Sequence, residues 1–372
     1  MRDFSKVKRV VVKVGTSNLT GKDNRLDEKS IGRLAEQLVW LRKSGREAIL
    51  VTSGAIGAGI GKLRLKQKPR DMPMLQASAA VGQNILMHTY EKNFSKLEQN
   101  IAQVLLTHED FRDRKKYLNF QNTLKALLKL GVIPIINEND TVSVEEIVSG
   151  DNDSLSVLVA ASAESDLLVI LSDTVGLCTQ DPRRSKNANL IRVVESITPE
   201  IRKACGRGTS KGRGGMSTKL FAAEKAMEKG IPMVLADGSE RNIIGRILEG
   251  EDVGTLFLPK EGLTDKKHWI KYTAPSKGEI TIDEGAAKAI HEGKTLLPAG
   301  VVRGGVKGNF KAGDTITLLE SSTGRQIARG ITNYSSDELG RVSGLKTAEV
   351  DIVLGQKKSK KAVLDRDNMV FV

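Results

Sequence analysis

The sequence predicts an α/β protein: a mainly parallel sheet sandwiched by helices, followed by a small, mostly β domain. Three observations predict it. Short β-branched runs recur between residues 9 and 238: "RVVVKV", "AILVTS", "IAQVLLT", "VIPIINEND", "DLLVILSD" and "IPMVLADG". Each is apolar almost throughout, as a strand covered on both faces must be, and each leads into polar or glycine-rich sequence. Helical patterns lie between them, and past Gly278 the texture changes to short apolar runs separated by glycines and turns.

Taken in order, the first run feeds directly into "GTSN" after Lys13 and Val14. Residues 27–44 place Ile31, Leu34, Leu38 and Leu41 on one stripe, with Gly45 as the C-cap. The second run ends in a small-residue loop, "TSGAIGAGIG", Thr52 to Gly61. Further helices are predicted over 73–97, 119–130 (stopped by Gly131), 152–163 and 216–229 (stopped by Gly230). This domain is expected over residues 1–260. The segment 261–276, next to Pro259 and containing Pro275, reads as a linker. Runs such as "EITI", "TITLL" and "QIARGI" place the mostly β domain at 277–355, leaving 356–372 as a C-terminal tail.

Composition narrows the function. A chain of 372 residues holds about two domains, and 39% hydrophobic with 4% aromatic residues is ordinary for a globular protein. No apolar run is long enough to span a bilayer, and charges occupy the place of a signal peptide's apolar region, so a cytoplasmic location is expected. Cys178 and Cys205 make no disulfide framework, and no CxxC or Cys/His cluster suggests zinc. The net charge of +13 points to an anionic partner: nucleic acid, an anionic membrane or an anionic substrate. Of the dense basic stretches, "KLRLKQKPR" (62–70) and "KKSKK" (357–361) read as solvated surface. The stretch from Ile201 to Ala223, with six basic residues and no acid, also carries glycines.

Ligands of open α/β sheets sit beyond the carboxyl ends of the strands. There the sequence offers Lys13 with "GTSN", the Thr52–Gly61 loop, "NEND" (137–140), "GDNDS" (150–154) and "SDTVGL" (172–177). Such a set suits a charged, polar small molecule. Lys13 can direct its amine into the crevice while its methylenes stay packed; an edge lysine that merely snorkels is the alternative. Gly206, Gly208, Gly212, Gly214 and Gly215 form a loop that enters a helix near Met216, where free N–H groups attract phosphate. Lys219 would face the same anion from the first helical turn; an ordinary solvent loop is the alternative. No GxxxxGK[ST] or GxGxxG spacing is present, and "DNDS" fails as an EF-hand because Leu155 occupies a ligand position. Two lysines aimed at one crevice suit phosphoryl transfer, which needs positioning and charge neutralisation above all. No Ser-His-Asp or Cys-His set is apparent, and His88, His108, His268 and His291 fall outside these loops.

In combination, "VVKVGTS", "VTSGAIGAG", "INENDTV", "GDNDSLS", "LSDTVGL", "DPR" and "GGMSTK" resemble, in order, the motifs of the glutamate 5-kinases, which have the amino acid kinase fold. The later stretch "GEITIDEGAAKAI…LLPAG…GNFKAGD…IARGITNYSS" resembles the PUA domain that many of them carry. The resemblance implies ATP- and Mg²⁺-dependent phosphorylation of the L-glutamate γ-carboxylate, proline as a feedback inhibitor and a homo-oligomer. It implies catalytic roles for Lys13, Asp153 and Lys219, and glutamate binding by Ser53, Asp140 and Asn152. Nucleotide contacts would come from Lys13, Ser172, Asp173, Arg213, Gly214, Gly215, Met216, Ser217, Thr218 and Lys219. Arg213 and Ser172 depart from the residues common at their positions in that family. Other kinases of the fold, acting on acetylglutamate, aspartate or a nucleoside monophosphate, are the alternative, as is an RNA-binding role through the PUA-like domain.

Overall fold

A computed structural model describes residues 2–21, 25–143, 152–180, 185, 188–204, 215–260, 270, 274–355 and 361–371. The chain divides into two compact units, Met1–Gly262 and Leu263–Val372.

The first unit is built on an eight-stranded sheet: β1 Arg9–Val14, β2 Glu47–Val51, β3 Ile101–Leu106, β4 Ile133–Glu138, β5 Leu167–Ser172, β6 Val193–Val194, β7 Met233–Asp237 and β8 Thr255–Phe257. Its order is β3-β4-β2-β1-β5-β7-β8-β6. Neighbours run parallel except β7 and β8. The six apolar runs are the six longer strands. β6 and β8 are three residues or fewer, too short for any periodicity to announce them.

Helices α1 Glu28–Lys43, α2 Ala55–Lys62, α3 Met72–Ser95, α4 His108–Arg112, α5 Arg114–Lys129, α6 Asp153–Ser162, α7 Pro199–Ala204, α8 Met216–Glu228 and α9 Ile243–Leu248 cover the sheet. The pleat of β1 sorts them. Val10, Val12 and Val14 pack into one core with α1, α3 and α9. Val11 packs into a second core with α5, α6 and α8. Lys13, by the same alternation, lies on the second face. Local chemistry sets the helix ends. The Asp27 carboxylate accepts the Lys29 N–H at 3.0 Å to cap α1, and Gly45 follows at φ +82°. Asp113 caps α5, which starts earlier than 119 because its first turn is lysine and arginine rather than apolar.

One expected loop is mostly helix. Residues 55–62 of "TSGAIGAGIG" form α2, with the left-handed Gly54 (φ +102°) before it. The glycines serve packing. A Cβ on Gly59 would sit 1.8 Å from the Ser78 carbonyl oxygen, and one on Gly82 would sit 1.7 Å from that of Ala55. Two backbones therefore touch, and only glycine fits at the crossing of α2 and α3.

The second unit holds a five-stranded sheet of β9 Gly278–Ile282, β10 Val301–Gly308, β11 Thr315–Glu320, β12 Gln326–Ile331 and β13 Met369–Phe371, in the order β10-β9-β11-β12-β13. Helices α10 Glu284–His291, α11 Ser336–Val342 and α12 Thr347–Leu354 accompany it. Ile280, Ile316, Leu318 and Tyr334 centre its core. Within the segment 356–372, read as a tail, a short strand forms. Met369–Phe371 pair antiparallel with β12, a three-residue strand whose partner is invisible in local sequence. Most of 261–276 lies outside the described residues. Among the described residues no helix is long and apolar enough to cross a membrane, and Cys178 is a buried free thiol; Cys205 lies outside them.

Gly82→Ala should cost at least about 3 kcal/mol, since overpacking against backbone cannot relax by a rotamer change. For a unit of this size that lowers the thermal midpoint by roughly 6–12 °C. A melt unchanged from wild type would disprove the backbone contact.

Candidate active site

The alternation of β1 puts Lys13 on the face covered by α6 and α8, one residue short of the strand's carboxyl end. It is only 3% exposed, and its Nζ lies 2.5 Å from Asp153 Oδ1. Asp153 opens α6 and is fully buried. Its other oxygen, Oδ2, takes Lys219 Nζ at 3.1 Å and the Thr218 hydroxyl at 3.3 Å. Both come from the first turn of α8, whose Thr218 hydroxyl also donates to the Gly215 carbonyl at 2.8 Å. One carboxylate thus holds two ammonium groups in a nearly dry crevice. A buried ion must be paired, so the trio is self-supporting; it also carries a surplus positive charge that an anion would neutralise.

Asn152, next to Asp153, organises a second cluster. Its Nδ2 donates to the Thr52 carbonyl at 2.6 Å and the Asn137 Oδ1 at 2.8 Å, with Ser53 Oγ at 3.2 Å. Asn137 Nδ2 donates onward to Gln83 Oε1 of α3 at 2.9 Å. The Thr52 and Tyr90 hydroxyls lie 2.7 Å apart. Burial pushes the Tyr90 phenol up, against the pull of that hydrogen bond, so it stays neutral and can donate. Asp140, just past β4, is buried. Asn152 Oδ1 and Gln83 Nε2 are buried without a hydrogen-bond partner among the described residues, so an acceptor and a donor remain for a ligand.

On the far side of β1, Ser172 ends β5, and its Oγ donates to Asp173 Oδ1 at 3.2 Å. Asp173 is exposed. Gly215 precedes α8 in extended conformation, Met216 packs partly buried into the second core, and Ser217 is exposed. Arg213 and Gly214 lie outside the described residues. The sheet therefore gathers Lys13, Asp153, Thr218 and Lys219 into one contact set and Ser53 and Asn152 into a neighbouring one. Gln83 and Tyr90 escape sequence reasoning, because polar side chains recur along α3 and no local pattern marks these two. Among the described residues no group of three or more His, Cys, Asp or Glu is placed to hold a metal ion.

The sequence and the fold match known proteins. Residues 8–237 match the sequence profile of the amino acid kinase family, and residues 278–354 that of the PUA domain. The chain is 49% identical over 367 residues to the glutamate 5-kinase of Caldanaerobacter subterraneus subsp. tengcongensis, covering 98% of each chain. It is 48% identical over 372 residues to the glutamate 5-kinase of Moorella thermoacetica, covering 99% of this chain and 97% of the relative. The crystal structure of carbamate kinase from Giardia lamblia superimposes with a TM-score of 0.51 at 17% identity, covering 69% of this chain and 100% of that one. A mainly parallel sheet with helices on both faces thus belongs to a known class. The chain is a member of the amino acid kinase family, with a PUA domain at its C-terminal end.

Replacing Asp153 by asparagine leaves two buried ammonium groups without their counter-charge. Urea unfolding of Asp153→Asn should show a loss of about 3–5 kcal/mol. Wild-type stability would mean that the carboxylate does not hold the trio together.

Proposed function

We propose that this chain transfers the γ-phosphoryl group of ATP to the γ-carboxylate of L-glutamate, giving γ-glutamyl phosphate, the first step toward proline. The observation that carries the reaction type is the Asp153 carboxylate bridging Lys13 and Lys219 beside the Asn152 cluster. The acceptor rests on the full-length likeness to glutamate 5-kinases.

In this reading the polyphosphate of ATP lies against the two ammonium groups and the amino end of α8, with Arg213 to Lys219 wrapping it. Ser172 and Asp173 contact the rest of the nucleotide. Glutamate is held by Ser53, Asn152 and Asp140, the aspartate facing its α-ammonium group. A carboxylate oxygen attacks the γ-phosphorus in line, the new O–P bond forms as the bridging O–P bond breaks, and ADP leaves. The nucleophile is already ionised near neutral pH, so no general base is required. Lys13 and Lys219 stabilise the charge that spreads over the transferred oxygens, and Asp153 keeps both amines aimed. Mg²⁺ fits a site without a cage of protein carboxylates, because it keeps waters and substrate phosphates as ligands; it would offset charge on the β and γ oxygens. A cytoplasmic homo-oligomer inhibited by proline completes the proposal. RNA binding by the C-terminal unit is the subordinate reading: retention on RNA that weakens steeply with salt would support it, and none at low salt would end it.

The test is ADP release from ATP and Mg²⁺ with glutamate, acetylglutamate, aspartate, carbamate and UMP as acceptors. Glutamate should stand alone; turnover with another acceptor and none with glutamate would overturn the assignment. Lys219→Ala should fold normally and lose about 10²–10³ in kcat, by analogy with losing one oxyanion donor. Asn152→Ala should raise KM for glutamate by about tenfold or more, the cost of one buried hydrogen bond to a charged group, while KM for ATP moves little. Equal effects on both would place Asn152 outside the acceptor site.

A further inference from the structure

On the face of the sheet away from the Lys13–Asp153–Lys219 trio lies a cavity of about 390 Å³ between α1, the turn after β1 and the start of α9. The pleat separates the two sites: Val14 and Leu171 belong to the core on the cavity's side, whereas Ile170 belongs to the other. The size falls within the roughly 300–1,000 Å³ of pockets that take organic ligands. Its lining is of two kinds. Val14, Leu19, Leu34 and Leu171 are almost completely buried and give an apolar floor, and Trp40, 37% exposed, stands at its edge. Arg33 of α1 and Arg241 of the β7–α9 connection add two exposed guanidinium groups.

The charge inventory decides what fits. Arg33 uses one Nη2 on the Ser30 hydroxyl at 2.9 Å, and Arg241 has no ion pair or hydrogen bond among the described residues. Of the acids in the lining, Glu240 is taken by Arg246 at 2.5 Å, and Glu36 is left. Two guanidinium forks match a phosphate, which carries close to two negative charges, better than a monocarboxylate. A flat apolar ring would use the leucine floor and Trp40, and Glu36 can accept from hydroxyl groups. We propose that this cavity is a second ligand site, taking an organic phosphate of nucleoside monophosphate size, with its base on the apolar floor and its phosphate on Arg33 and Arg241. The proposal does not depend on which acceptor the Asn152 cluster binds.

The protein's two tryptophans are Trp40 and Trp269, so Trp269→Phe leaves Trp40 as the sole reporter. That protein, held in saturating Mg²⁺ and a non-hydrolysable ATP analogue to fill the site at Lys13, is titrated with AMP, adenosine and inorganic phosphate. AMP should change Trp40 emission saturably, with adenosine and phosphate each about tenfold weaker or more, because each supplies half of the recognition. Arg241→Glu, at an exposed position, should keep the melting midpoint and weaken AMP by about tenfold or more. Four results would overturn the proposal: no saturable response, adenosine binding as well as AMP, unchanged AMP affinity in both Arg33→Glu and Arg241→Glu, or an AMP midpoint that rises in proportion to the ATP analogue.

Discussion

Everything at the carboxyl edge of the first unit depends on one buried carboxylate accepting two ammonium groups. Asp153 stands 140 residues from Lys13 and 66 from Lys219, yet its two oxygens meet both amines. Burying an ammonium group in a dry crevice is costly unless a counter-charge meets it. The carboxylate makes their burial tolerable and fixes both amines at the carboxyl edge of the sheet. Structural support and chemical readiness are thus the same interaction.

The scaffold serves that interaction by strict division of labour between faces. The alternation along β1 sends three valines into the core with α1, α3 and α9, and sends Lys13 with Val11 toward α6 and α8. The starts of α6 and α8 then meet the lysine at the sheet's edge. The same division leaves the 390 Å³ cavity on the other face.

The acceptor cluster is tied to a packing device. Gly59 and Gly82 let α2 and α3 touch backbone to backbone, and the residue after Gly82 is Gln83, which receives Asn137. Two turns further on, Tyr90 meets Thr52. The loop carrying Thr52 and Ser53 is fixed at its far end by α2. Close helix contact therefore sets where the amides of the second cluster sit, and the glycines that read as a flexible loop are rigid spacers.

By itself the sequence determined the short apolar β-branched runs, the helical stripes and the order in which they alternate, and these are enough to dictate a parallel sheet and to say that its carboxyl edge holds the ligand. It also supplied Lys13, at the end of an apolar run, and Lys219, just past a glycine-rich loop that enters a helix, as separate candidates, while Asp153 came from the family resemblance. Their meeting was implied only by the family resemblance, since contact between residues 13, 153 and 219 is created by strand order and helix placement, which no local pattern encodes. Nor does any local pattern encode Gln83 against Asn137 or Met369–Phe371 against β12. Propensity and periodicity act between near neighbours along the chain, whereas pairing of charges and closure of a cavity act across space, and only the folded sheet brings those distances down to a few ångströms.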